Sequence, residues 1–152
     1  MVRQIVIFGV HHKYQTETPI NPFFRQHLCD LVNEHQVDFI LEEGTGLPPK
    51  SCVEVLADTL AIHWKNVDLS RDQRELVGDG AESSIHDTFQ DLNLHECREW
   101  VWAVRTSATV IDSGLIVCGI CHVLSLADKL RWIGFAVEGH VYTPRRDDDS
   151  LF

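Results

Sequence analysis

Leu115-Ile116-Val117-Cys118-Gly119-Ile120-Cys121-His122 is the stretch on which the fold turns. Four apolar residues stop at a glycine, and from His122 onward Val123, Leu126, Ala127 and Leu130 recur at helical spacing. The stretch predicts a buried strand over residues 115–118 that runs directly into a helix over 122–133. A further apolar run over 135–142 predicts another strand. The amino terminus has the same form: an apolar run over residues 4–8, then Gly9, then His12.

Between these ends the pattern continues. Asn21-Pro22 predicts a helix start, because Asn caps and Pro suits the first helical position. Phe24, Leu28, Leu31 and Val32 follow at helical spacing, and residues 37–41 predict a second strand running into Glu42-Glu43-Gly44. Ser51 predicts a cap for a helix carrying Val53, Leu56 and Leu60. Residues 64–67 predict a short third strand ending at Asp68. Residues 69–94 are polar, weakly periodic and contain Gly78-Asp79-Gly80. That is long for a connector and predicts a lid or helical insertion. Residues 95–108 predict a helix bearing Trp100 and Trp102, and a charged tail starts near residue 144. Strands alternating with helices predict an α/β three-layer domain over residues 1–152, with a central, mainly parallel sheet of five strands.

Composition narrows the function. The chain has 152 residues, 13 Lys+Arg against 23 Asp+Glu, and a net charge of −10. Its longest basic run, Arg145-Arg146, is followed at once by Asp147-Asp148-Asp149. Nucleic-acid affinity comes mostly from clustered Lys and Arg, so nucleic acid is not an expected partner. The first apolar run is too short for a membrane span or a signal sequence, so the expectation is a cytoplasmic protein without a membrane partner. Five cysteines without a secretion signal are expected to be reduced.

In parallel sheets, ligands sit beyond the carboxyl ends of the strands. Those ends here carry His11-His12, Glu42-Glu43, Asp68 and Cys121-His122. Nine Gly and nine His give about 0.5 Gly-x-x-His matches by chance, so two matches gain weight only from their placement after strands. Glycine at a strand end permits close backbone approach, and a His three residues on projects over the sheet edge. His122 opens a helix, where the dipole favours neutral imidazole, able to accept a proton or bind metal. One of Glu42 and Glu43 is expected to face the crevice and the other to turn away, since strand side chains alternate.

Gly9-x-x-His12, Glu42-Glu43, Arg98-Glu99-Trp100 and Gly119-x-x-His122, in this order, resemble the superfamily of erythromycin esterase-like, TraB/TIKI and ChaN-like proteins, in reduced form. The resemblance implies a hydrolase, metal-dependent in one branch and metal-free in another. It puts His12, His122, Glu43, Glu42 and Arg98 in the catalytic set. His12, Glu43 and His122 are the ligands of a divalent Zn, Mn or Fe ion, if one is bound.

Arg98 is expected to neutralise a carboxylate or to hold a substrate oxyanion. Asp68 is expected either behind a histidine or as a helix cap, Arg71 and Arg74 on a solvated helix face or towards an acidic substrate, and Trp64 in the core or lining the pocket. Cys118-Gly119-Ile120-Cys121 invites a redox reading. Too little chain follows it for a thioredoxin-like fold, so Cys118 is expected to pack in the core. The leading expectation is hydrolysis of a small-molecule or peptide substrate, with homo-oligomerisation left open. The alternatives are a metal- or haem-binding module and a regulatory pseudo-enzyme.

Overall fold

The computed structural model describes residues 1–44, 46–76 and 88–144. Five strands form one parallel sheet: β1 (Gln4–Val10), β2 (Phe39–Glu42), β3 (His63–Asn66), β4 (Ser113–Gly119) and β5 (Ala136–Val141), in the spatial order β3-β2-β4-β1-β5. Around it lie α1 (Lys13–Thr16), α2 (Pro22–Glu34), α3 (Cys52–Thr59), α4 (Arg71–Leu76), α5 (Thr88–Thr109) and α6 (Val123–Ile133). A single 3-10 turn, Ile120–His122, joins β4 to α6. Among the described residues no helix is long and apolar enough to cross a membrane.

Strand alternation divides the core in two. Val6, Phe8, Ile40, Leu115 and Val117 face one way and meet Phe24 and Leu28 of α2 and Val53 and Leu56 of α3. Ile5, Ile7, Leu41, Ile116 and Cys118 face the other way and meet Trp102 of α5 and Leu126 and Leu130 of α6. Helices therefore cover both faces, giving three layers.

The helix starts follow the local chemistry. The Asn21 side chain accepts from the Phe23 and Phe24 amides at 3.0 and 3.1 Å ahead of α2, and Ser51 accepts from the Glu54 amide at 3.0 Å ahead of α3. Each such cap stabilises its helix by ~1 kcal/mol. Gly134, at φ 113°, ends α6 in the left-handed conformation that favours glycine.

Several boundaries depart from the sequence reading. α1 forms within residues 11–20, a polar stretch without helical periodicity. β4 begins two residues earlier than 115 and β1 ends two later than 8, because the parallel pairing of the two strands continues through Ser113-Gly114 and Gly9-Val10, where glycine interrupts the apolar run. Within 69–94, α4 is a short helix capped by Ser70, whose hydroxyl accepts from the Gln73 amide at 3.2 Å. α5 begins at Thr88. Gly78-Asp79-Gly80 and the tail from 145 lie outside the described residues.

The strand order fixes where a site belongs. From β1 the chain crosses over β4 to reach β2, and from β4 it crosses over β1 to reach β5. The two connections leave in opposite directions, so a crevice opens between the carboxyl ends of β1 and β4. His12 follows the first of these strands and His122 the second.

Candidate functional site

Glu43 stands at the centre of the crevice. It follows β2, which pairs with β4, and its own amide donates to the Val117 carbonyl at 2.8 Å. Its Oε1 accepts from the Gly119 amide at 2.8 Å and its Oε2 from Arg98 Nη2 at 2.6 Å. His12 Nε2 lies 3.7 Å from Oε1 and His122 Nε2 lies 3.6 Å from Oε2. Groups from the carboxyl ends of β1 and β4 and from α5 thus meet around one carboxylate that follows β2.

Both Gly-x-x-His motifs need their glycines for close approach. A Cβ on Gly9 would stand 2.4 Å from Val123 Cγ2 and 3.3 Å from the Ile120 backbone. A Cβ on Gly119 would stand 3.1 Å from His12 Nε2 and 3.4 Å from Glu43 Oε1. The first glycine lets the start of α6 sit against β1. The second leaves room for the His12 ring beside the carboxylate.

The outer part of the site is set by Gln15, in α1. Its amide nitrogen donates to Glu42 Oε2 at 2.6 Å and to the Glu43 carbonyl at 2.9 Å. With both N–H groups spent on acceptors, its oxygen faces His12 Nδ1 at 2.6 Å. Nδ1 must carry the proton of that bond, so in neutral His12 the free lone pair is on Nε2. The His12 side chain is 62% exposed and lines a cleft.

The inner part is buried. His122 Nδ1 bonds Glu99 Oε1 at 2.8 Å, while Ser125 Oγ and Lys129 Nζ donate to the same carboxylate at 2.7 and 3.0 Å. Burial works against the Glu99 charge, but His122, Ser125 and Lys129 together hold its carboxyl below the usual range. The Trp102 ring packs edge-on to His122 at 4.8 Å. Arg98 and Trp102, one turn apart on α5, both reach Asp68. Arg98 donates through Nε at 3.1 Å and Nη2 at 2.8 Å, and Trp102 Nε1 donates at 2.9 Å. Arg74 also pairs with Asp68. Burial would raise the Asp68 carboxyl, yet Arg98 and Trp102 hold it below its ordinary value.

Glu42 faces the opposite way from Glu43, as alternation requires, but it does not turn to solvent. It is buried and accepts from Ser51 Oγ, Trp64 Nε1 and Gln15. Burial pushes its carboxyl up, and these donors offset only part of the shift. Glu42, Glu43, His12 and Trp64 line a cleft of about 570 Å³, whose other walls include Ile20, Leu47, Pro48 and Val55.

The structure separates alternatives that the sequence leaves open. Arg98 lies within α5, is 7% exposed, and neutralises Glu43 and Asp68. Of its two expected roles, the geometry fits the first. Asp68 anchors Arg98, not a histidine, and Ser70 caps α4 in its place. Arg71 is exposed and pairs with Glu75, whereas Arg74 turns inward to Asp68. Cys118 is fully buried, and burial raises its thiol well above the usual value. Cys121 is exposed, so the two do not form a reactive pair.

As placed, His12, Glu43 and His122 do not fit a divalent ion. A zinc ion with bonds of ~2.0–2.2 Å keeps its ligand atoms within ~4.4 Å of one another. Each histidine approaches a different oxygen of Glu43, the three do not bring one ligand atom each within 4.8 Å of both others, and the Glu43 charge is already met by Arg98.

Gln15, Glu99, Ser125 and Lys129 belong to the site and carry no strand-end signal. Glu99 adjoins Arg98 in the quoted motif, and its direction depends on where α6 packs. No known protein family, curated protein or solved structure matches the chain.

Proposed function

We propose that the chain is a metal-independent hydrolase that uses His12 as general base. The observation that carries this reading is the His12 ring itself: Gln15 holds Nδ1 as the donor, so Nε2 is an acceptor at the mouth of the cleft. In the proposed step, Nε2 removes a proton from water as the water attacks the substrate. The positive charge that develops on His12 faces Glu43 Oε1, 3.7 Å away. Gly119 and Arg98 hold the two oxygens of Glu43 in place. His12 then returns the proton to the leaving group.

His122 is a positioning residue in this reading. It is 2% exposed and oriented by Glu99, and its Nε2 supports Glu43 from the inner side. The cleft walls of Ile20, Leu47, Pro48, Val55 and Trp64 suit a substrate with an apolar acyl or aromatic group. The motif resemblance to erythromycin esterase-like proteins agrees with a metal-free ester hydrolysis.

The test is a panel of activated esters, amides and phosphoesters assayed with excess chelator. The wild type should hydrolyse at least one class, and His12→Ala should lose ~10²-fold or more, the scale of a lost general base. Absence of turnover across the panel, or equal activity in His12→Ala, would overturn the proposal.

A further inference from the structure

A second constellation lies at the edge strand of the sheet, apart from the crevice between β1 and β4. β5 is an edge strand, and its Glu138 and His140 pair in register with Val6 and Phe8, so they stand on the α2 face. There they meet His35, which ends α2. His140 Nε2 lies 3.0 Å from Glu138 Oε1, and His35 Nε2 lies 3.5 Å from Glu138 Oε2. One ligand atom from each residue lies within 4.8 Å of the others, the one such His/Cys/Asp/Glu group among the described residues.

We propose that His35, Glu138 and His140 form a zinc site. Two imidazoles and one carboxylate are the donor set that borderline divalent ions prefer, while Mg²⁺ and Ca²⁺ require more oxygen ligands. Ligand atoms on a tetrahedral zinc with ~2.0–2.1 Å bonds stand ~3.4 Å apart. The 3.5 Å between His35 Nε2 and Glu138 Oε2 already matches this spacing.

An independent observation points to a ligand. His35 Nε2 is buried and makes no hydrogen bond. Glu138 Oε2 stands 3.5 Å away without forming that bond; a buried imidazole nitrogen with no hydrogen bond is costly, and a metal bond removes that cost. The residue is also held in place. Its amide bonds the Leu31 carbonyl at 3.1 Å, and its carbonyl accepts from Ser113 Oγ at 2.9 Å. His27 adds a further imidazole beside the site, its ring 6.5 Å from that of His140.

Such a site leaves a fourth position open to solvent, because Glu138 is 56% exposed and His140 30% exposed at their side chains. It would tie the end of α2 to the edge strand. This site is independent of the strand-end histidines and does not rest on the hydrolase reading.

The experiment uses untagged full-length protein, Zn²⁺ titrated by calorimetry, metal content after dialysis, and the visible spectrum of the Co²⁺ form. The wild type should bind one equivalent of Zn²⁺, show tetrahedral Co²⁺ bands, and discriminate against Mg²⁺ and Ca²⁺. His140→Ala should weaken binding at least tenfold, as should Glu138→Gln, a surface change that leaves folding intact by circular dichroism. His12→Ala should bind as the wild type does. No Zn²⁺ binding in the wild type would overturn the assignment. So would unchanged binding in both His140→Ala and Glu138→Gln, or loss of binding in His12→Ala alone.

Discussion

Replacing Arg98 with methionine removes the cation that holds two carboxylates at the sheet edge. Arg98 bonds Asp68 at 3.1 and 2.8 Å and Glu43 at 2.6 Å, and it is 7% exposed. Methionine keeps most of the side-chain volume, so packing changes little and the effect is mainly electrostatic. Breaking a buried ion pair by deleting one partner costs ~3–5 kcal/mol, because the other charge stays buried. Arg74 remains near Asp68, which puts the expected loss at the lower end, ~3 kcal/mol. For a chain of this length that lowers Tm by ~6–12 °C, at ~2–4 °C per kcal/mol. The pH dependence has a definite sign. In the wild type the Asp68 carboxyl is held below its ordinary value, so its contribution is present above ~pH 4 and is lost as pH falls through the depressed folded value. In Arg98→Met the Asp68 carboxyl loses the guanidinium that holds it down and shifts upward, and its penalty disappears on protonation. The stability gap between the two proteins should therefore be widest at neutral pH and narrow steadily below about pH 5. Urea denaturation of both proteins across that range measures it. A loss under ~1 kcal/mol at pH 7, or a gap independent of pH, would refute the claim that Arg98 is the electrostatic keystone.

Two further perturbations probe the same region. Gly119→Ala places a Cβ 3.1 Å from His12 Nε2 and 3.4 Å from Glu43 Oε1. It should reduce hydrolysis more than tenfold while costing only ~1–3 kcal/mol of stability; activity assays beside thermal melts separate the two. A Cys118→Ala, Cys121→Ser double variant should stay within about tenfold of wild-type activity, since Cys118 packs as a small apolar group. In native protein a thiol reagent should label the exposed Cys121 and leave the buried Cys118 unmodified, as mass spectrometry of the peptides will show.

Much of the fold is legible in the sequence because each element has a local cause. The apolar runs before Gly9 and Gly119 are short, and helices follow where Asn21-Pro22 and Ser51 supply caps. The positions of the strand-end groups follow from parallel-sheet geometry, which brings His12, Glu43 and His122 to one crevice. What is not legible depends on tertiary packing. Gln15 lies in a polar stretch with no periodic signal, and only the fold brings it between His12 and Glu42. Alternation correctly separates Glu42 from Glu43 but says nothing of Ser51 and Trp64, which bury Glu42 on the other face. Arg98 carries no mark that it will grip Asp68, because the reach of α5 across the sheet depends on helix length, and α5 starts before residue 95. His35, Glu138 and His140 escape a strand-end search because they meet across α2 and an edge strand.

The central claim is that His12 presents an unprotonated Nε2 to the cleft, and long-range ¹H–¹⁵N NMR of the neutral imidazole measures this directly. The account predicts that the proton resides on Nδ1 in the wild type, and that Gln15→Leu, which removes the 2.6 Å partner, abolishes this preference. A wild-type spectrum with the proton on Nε2, or a Gln15→Leu spectrum identical to the wild type, would contradict it.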